Sequence, residues 1–136
     1  MCQSNSLKCL YPKGYINPHF KGTILDTRDY FEEKRYFSDH VSDTYYRCVC
    51  TNWDNTARKG KTGARILWGI TPEVFKKWLV DFMLESKKIH TAGNDFVFVS
   101  SWNEWAEGSH LEPDMRYGYA WLNAVRSALE ITRCSM

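Results

Sequence analysis

Two glutamates stand three residues apart in Ser101-Trp102-Asn103-Glu104-Trp105-Ala106-Glu107-Gly108, immediately after an apolar run. On a helical turn Glu104 and Glu107 share one face and can act on the same bond. Chemistry at a glycosidic bond asks for such a pair: one carboxylic acid protonates the leaving oxygen, and the other group serves as base or nucleophile across the sugar ring. Trp102 and Trp105 offer flat surfaces for the apolar face of a pyranose, and Asn103 can hydrogen-bond a hydroxyl. The plainer alternative is a pair of solvated loop glutamates beside core tryptophans, because exposed glutamate is common.

A second polar cluster is Trp53-Asp54-Asn55-Thr56-Ala57-Arg58. Asp54 and Asn55 can bind sugar hydroxyls, and Arg58 can take a phosphate or carboxylate in a forked pair. The same residues also fit an Asx turn with Arg58 paired to an acid. Glu112, in Glu112-Pro113-Asp114, either lines the same cleft or caps the helix that follows. Glu107-x-x-His110 has the spacing of di-iron bundle ligands, but those sites need the motif on two long helices and no second copy exists. No metal is therefore expected, and His19, His40 and His90 read as isolated surface or capping residues. Arg58-Lys59-Gly60-Lys61 reads as a solvated loop, too short a basic run for nucleic acid.

These clusters need strands and helices to position them. Residues 44–50 (TYYRCVC) are β-branched and aromatic and predict a strand, and residues 95–101 (DFVFVSS) predict a second. A helix is expected from an Asp26 or Thr27 cap to about His40, with Tyr30, Phe31, Lys34 and Phe37 along one side. Thr71-Pro72-Glu73 supplies a cap, a first-turn proline and an acid at the positive end of another helix. Val74, Phe75, Trp78, Leu79, Phe82 and Met83 fall on one face of it, and Gly93-Asn94 stops it. Tyr119, Trp121, Leu122, Val125, Ala128 and Leu129 predict a last amphipathic helix. The stretch between the first strand and Thr71 reads as a polar, glycine-rich loop. The first 22 residues read as irregular or as one short extended piece.

Strands separated by a helical crossover are parallel, so the fold class is α/β. Trp53-Asp54-Asn55 and Trp102-Asn103-Glu104 then leave the same carboxyl edge, where α/β folds gather their ligands. Two strands cannot close a sheet, and a (β/α)8 barrel takes about 250 residues. At 136 residues and 16.0 kDa the expectation is the C-terminal part of a TIM-type barrel, incomplete as given. Residues 1–25 form an irregular N-terminal segment and 26–136 the βα units, with a missing N-terminal segment or a partner chain completing the barrel.

Composition narrows the partners. Eighteen basic against 16 acidic side chains leave a net charge of +2, which favours neither nucleic acid nor an anionic membrane surface. The charge-free run Phe96–Trp102 is far short of the roughly 20 residues of a membrane span. The chain opens with the polar Met1-Cys2-Gln3-Ser4-Asn5-Ser6, so export is not indicated. Five cysteines without a CxxC pair fit a reducing, cytoplasmic compartment. Six Trp, 8 Tyr and 7 Phe, 15% of the chain, are enough rings to fill a core and still stack on a ligand.

Three stretches, WDNTAR at Trp53–Arg58, TPEVFKKWL at Thr71–Leu79 and SWNEWAEGSHLEPDMRYGYAWL at Ser101–Leu122, resemble the C-terminal part of the WbsX-type glycosyltransferases, also described as glycoside hydrolase family 99-like. The resemblance implies a TIM barrel, work in bacterial cell-surface polysaccharide or lipopolysaccharide assembly, a carbohydrate substrate, and neither metal nor cofactor. In the related endo-mannosidases the two glutamates of this motif are the catalytic pair. By position, Glu104 would be the base that assists the sugar's own hydroxyl and Glu107 the acid that protonates the leaving oxygen. Those hydrolases usually carry His where this chain has Ala106, which sets its specificity apart. Transfer and hydrolysis both remain open, as does a non-catalytic, sugar-binding remnant.

Overall fold

A computed structural model describes residues 8–10, 19–37 and 42–134. In chain order the elements are β1 (Lys8–Leu10), β2 (Thr23–Asp26), α1 (Arg28–Glu32), β3 (Cys48–Val49), β4 (Trp53–Asp54), α2 (Thr56–Gly63), β5 (Arg65–Trp68), α3 (Pro72–Ile89), β6 (Phe98–Val99), β7 (Asn103–Glu104), β8 (Ser109–His110) and α4 (Ala120–Arg133). Helices and sheets are mixed, consistent with the expected α/β class.

The two anticipated strands do pair in parallel, Cys48 opposite Phe98 and Val49 opposite Val99. Their ladder continues through Phe98 N–H to Arg47 C=O and Ser100 N–H to Val49 C=O, both 2.9 Å. Helix α3 lies in the crossover between them. It starts as the sequence predicts: Pro72 occupies the first turn and the Thr71 hydroxyl accepts from Val74 N–H at 3.3 Å. Phe75, Trp78, Leu79 and Phe82, spaced at three and four residues, are its buried stripe.

Helix α4 keeps most of the expected stripe and adds to it. Trp121 and Ala128 are buried together with Ala124 and Thr132, Leu122 and Val125 pack half-buried against the same core, and Tyr119 and Leu129 are exposed. Small residues win here because alanine lets α4 approach α3 closely, leaving Trp121 to fill the gap edge-on against Phe75, with centroids 5.7 Å apart.

Two further expectations are corrected. The helix from residue 27 ends at Glu32, Lys34 takes a left-handed φ of 49°, and Arg35–Phe37 form a 3-10 turn, with residues 38–40 outside the described ones. Tertiary contact overrides local propensity: the bend lets the Lys34 amine (2.8 Å) and the Tyr36 hydroxyl (2.5 Å) both reach Asp81 of α3. It also drops the Tyr36 ring among Phe31, Trp78 and Phe82. Burial, and then the hydrogen bond to Asp81, push the Tyr36 phenol well above its ordinary range. At the front of the same helix, Thr27 gives its hydroxyl to Trp68 C=O, and Asp26 accepts from Arg28 N–H instead.

The supposed loop before Thr71 holds α2, interrupted at Gly60 (φ 64°), and β5. β5 is the centre of a sheet ordered β1-β2-β5-β4, parallel to β2 and antiparallel to β4, with β1 antiparallel on the outer side of β2. Arg65-Ile66-Leu67-Trp68 is too short a run to show a period, so its strand character comes from its neighbours.

Arg47 is 5% exposed, which the strand reading did not foresee. Its guanidinium forks onto Glu85 of α3 (2.8 and 3.2 Å), reaches Tyr36 C=O and lies over the Phe82 ring. No helix among the described residues is long and apolar enough to cross a membrane.

Candidate functional site

The chain leaving β6 runs through Ser100 and Ser101 into a hairpin. β7 pairs antiparallel with β8, Asn103 opposite His110 and Glu104 opposite Ser109, and Trp105–Glu107 turn between them as a 3-10 helix. Serines tie its base: Ser101 donates to Ser109 C=O at 2.6 Å, and the Ser100 and Ser109 hydroxyls lie 3.0 Å apart. The anticipated helical turn is thus a hairpin tip, with Glu104 on β7 directly before the 3-10 turn that ends in Glu107.

Gly108 closes the turn at φ 61°, where a side chain would be strained. A Cβ there would also stand 3.3 Å from the backbone N and O of Asp54. Glycine therefore seats the hairpin directly on β4. The Arg58 guanidinium, from α2, completes the junction with a 3.0 Å ion pair to Glu107 Oε1. The two clusters that follow β3 and β6 meet here, as the parallel pairing requires.

Each anticipated residue has a definite place. Glu104 is half-buried on β7, and its carboxylate makes no hydrogen bond or ion pair among the described residues. Glu107 is held through one oxygen by Arg58. Trp102 and Trp105 are 56% and 50% exposed, Asn103 is exposed, and Trp53 is half-buried. Glu112 reaches back, its Oε2 accepting from Trp105 Nε1–H at 2.7 Å. Asp54 Oδ1 accepts from Thr56 N–H at 3.0 Å, which is the Asx-turn alternative realised. Asn55 is buried, and its side-chain oxygen accepts from Arg65 N–H at 2.6 Å, so it stitches α2 to β5.

Sequence reasoning passed over His110 and Asp114 once the metal motif was set aside. The His110 ring stacks on Trp105 at 3.8 Å and 15°, and its Nε2 lies 3.1 Å from Asp114 Oδ2. Burial opposes the Asp114 charge, but the Tyr117 N–H, His110 and the Arg116 N–H outweigh it and hold the carboxyl below its ordinary range. The four-residue spacing of His110 and Asp114 was the available signal. Among the described residues no group of three His, Cys, Asp or Glu side chains is arranged to hold a metal.

The site is an open surface. A cavity of about 260 Å³ lies elsewhere, at the carboxyl ends of β2 and β5, between Arg28, Phe31, Gly69 and Trp78. Arg58 is 57% exposed, so its pair with Glu107 contributes under about 1 kcal/mol to stability, while fixing the carboxylate's direction. Arg58→Ala is expected to shift the melting temperature by no more than a few degrees, which thermal unfolding checks; a larger drop would show that the pair is structural.

Comparison with known proteins adds a separate line of information. A family model described as "Glycosyltransferase WbsX" matches residues 2–125. The match reaches further toward the N-terminus than the motifs legible by eye. Two curated relatives, each named "Uncharacterized protein WxcX" and from two strains of Xanthomonas campestris pv. campestris, are 40% and 39% identical over 116 residues. The aligned part is 84% of this chain and 16% of each relative, so the chain spans less than a fifth of their length. No solved structure matches.

Proposed function

Because this chain belongs to the glycosyltransferase WbsX family, we propose that it carries the catalytic hairpin of a carbohydrate-active enzyme that makes or breaks a glycosidic bond in bacterial cell-surface polysaccharide metabolism. The observation that carries the reading is the β7–β8 hairpin. It carries two carboxylates beside two exposed indoles, Glu104 without a partner among the described residues and Glu107 aimed by Arg58.

The chemistry follows from those positions. Glu104 accepts the proton of the sugar's own hydroxyl, whose oxygen attacks the anomeric carbon. Glu107, oriented by Arg58 at one oxygen, uses the other to protonate the departing oxygen as the old bond breaks. An acceptor O–H then attacks the anomeric carbon as its bond to the sugar's own oxygen breaks, Glu107 takes the acceptor's proton, and Glu104 returns the first proton to the released oxygen. Water as acceptor gives hydrolysis and a sugar hydroxyl gives transfer. Neither metal nor cofactor enters this route. Trp102 and Trp105 take the apolar faces of the sugar rings, and Trp53, Asn103, Asp54 and Glu112 line the approach. Asn55 supports them through β5.

We read the fold as the C-terminal part of a (β/α)8 barrel. Val49 is fully buried, whereas Cys48, Phe96 and Phe98 are exposed, the two phenylalanines at 54% and 56%. Parallel sheets are normally covered on both faces, which supports closure by further strands from a longer chain or a partner. Five cysteines support a cytoplasmic site of action. The exposure of Trp102 and Trp105 on an open surface favours one second reading, a sugar-binding unit that turns nothing over by itself.

Incubating the full-length protein with surface polysaccharide in ¹⁸O-water tests the proposal. Label at a new reducing end marks hydrolysis, and unlabelled elongated chains mark transfer. Either product is expected to vanish in Glu104→Gln. Products identical in wild type and Glu104→Gln, or none from wild type, would end the enzymatic reading.

A further inference from the structure

We propose that His110, held by Asp114, is a positioning residue that seats Trp105 as a one-faced platform for a pyranose ring. The inference rests on the carbohydrate reading above and deepens it. An exposed indole normally samples several rotamers, and ordering it on binding costs free energy. Trp105 is ordered in advance at two points. Glu112 Oε2 accepts its N–H at 2.7 Å, and the His110 ring covers one face at 3.8 Å and 15°. With half of its surface still exposed, the open face is the one away from His110, on the hairpin that carries Glu104 and Glu107.

The His110 ring is itself fixed from the core outward. An ionised carboxylate only accepts, so the hydrogen between His110 Nε2 and Asp114 Oδ2 belongs to the imidazole. Asp114 Oδ1 accepts from the N–H groups of Arg116 (2.7 Å) and Tyr117 (2.5 Å). The Tyr117 ring meets Trp121, which is 2% exposed, at 5.3 Å. His110 Nδ1 is buried and makes no hydrogen bond among the described residues, so the Nε2 bond and the stack on Trp105 are the contacts that orient the ring.

Titration of the full-length protein with methyl α-D-glucopyranoside and methyl α-D-mannopyranoside, followed at the Trp105 indole N–H resonance, tests the assignment. Wild type is expected to show a saturable shift. His110→Ala is expected to weaken binding about tenfold, and His110→Phe, which restores a flat ring, to recover it to within about threefold. His110→Ala added to Trp105→Ala, with both Trp105 variants titrated calorimetrically against the same pyranosides, is expected to cost nothing further, because both act through one platform. Should His110→Ala not fold, His110→Phe and Asp114→Asn carry the test, the latter weakening binding with the ring still present. Unchanged binding in His110→Ala, losses that add to those of Trp105→Ala, or a Trp105 resonance that no pyranoside moves would each overturn the inference. Glu107→Gln separates the two claims. Lost turnover in that variant beside normal binding by His110→Ala sinks the platform alone, whereas retained turnover beside the expected Trp105 pattern sinks the enzymatic reading alone.

Discussion

Glu107→Gln in the full-length protein is expected to lower turnover by about 100-fold or more while leaving sugar affinity within about twofold. The amide keeps the shape of the side chain and can still hydrogen-bond Arg58, 3.0 Å away in the native pair. It has no proton to give a departing oxygen, so the loss falls on the chemical step. An aryl glycoside with a good leaving group needs no such proton, and its turnover is expected to fall far less. That contrast separates general-acid catalysis from a folding defect, because a misfolded hairpin would lose both substrates together. Equal rates for wild type and variant on the poorer leaving group would remove Glu107 from the role.

Phe75→Ala is expected to destabilise the fold by about 4 kcal/mol. Phe75 has no exposed surface and meets Trp121 edge-on at 5.7 Å across the α3–α4 contact. Alanine removes the ring and opens a cavity that the rigid indole cannot fill, and the edge-to-face term of roughly 1 kcal/mol is lost as well. Phe75→Leu fills most of the volume and is expected to cost under about 2 kcal/mol. Urea unfolding of the three proteins measures the series, and a Phe75→Ala cost below about 1 kcal/mol would mean that α4 is docked by other contacts. Since Trp121 also backs Tyr117, and Tyr117 N–H holds Asp114, the same variant is expected to loosen the hairpin.

Much of the candidate site was legible because its parts are contiguous. Ser101–Gly108 carries both glutamates and two indoles in one stretch, and the pairing of β3 with β6 follows from two strand-like runs with a helix between them. Asn55 was misleading, since an asparagine that binds a hydroxyl and one that binds Arg65 N–H look alike in sequence. His110 stands out in the sequence only through its metal-like spacing to Glu107, a motif with no second copy, whereas its contact in the fold is a stack on Trp105.

By itself, the sequence determined whatever depends on repetition within one segment. The stripe Phe75, Trp78, Leu79, Phe82 and the Thr71-Pro72 start define α3 because helical period and capping are local physics. Only the tertiary structure decided which segments meet. The break at Lys34 answers to Asp81, 47 residues on; the strand character of Arg65–Trp68 answers to β2 and β4; Arg58 finds Glu107 across 49 residues. Contacts of that reach leave no periodic trace in either partner. Their free energy exists only once both segments are folded against each other, as at Gly108, where the missing side chain makes sense only beside the Asp54 backbone.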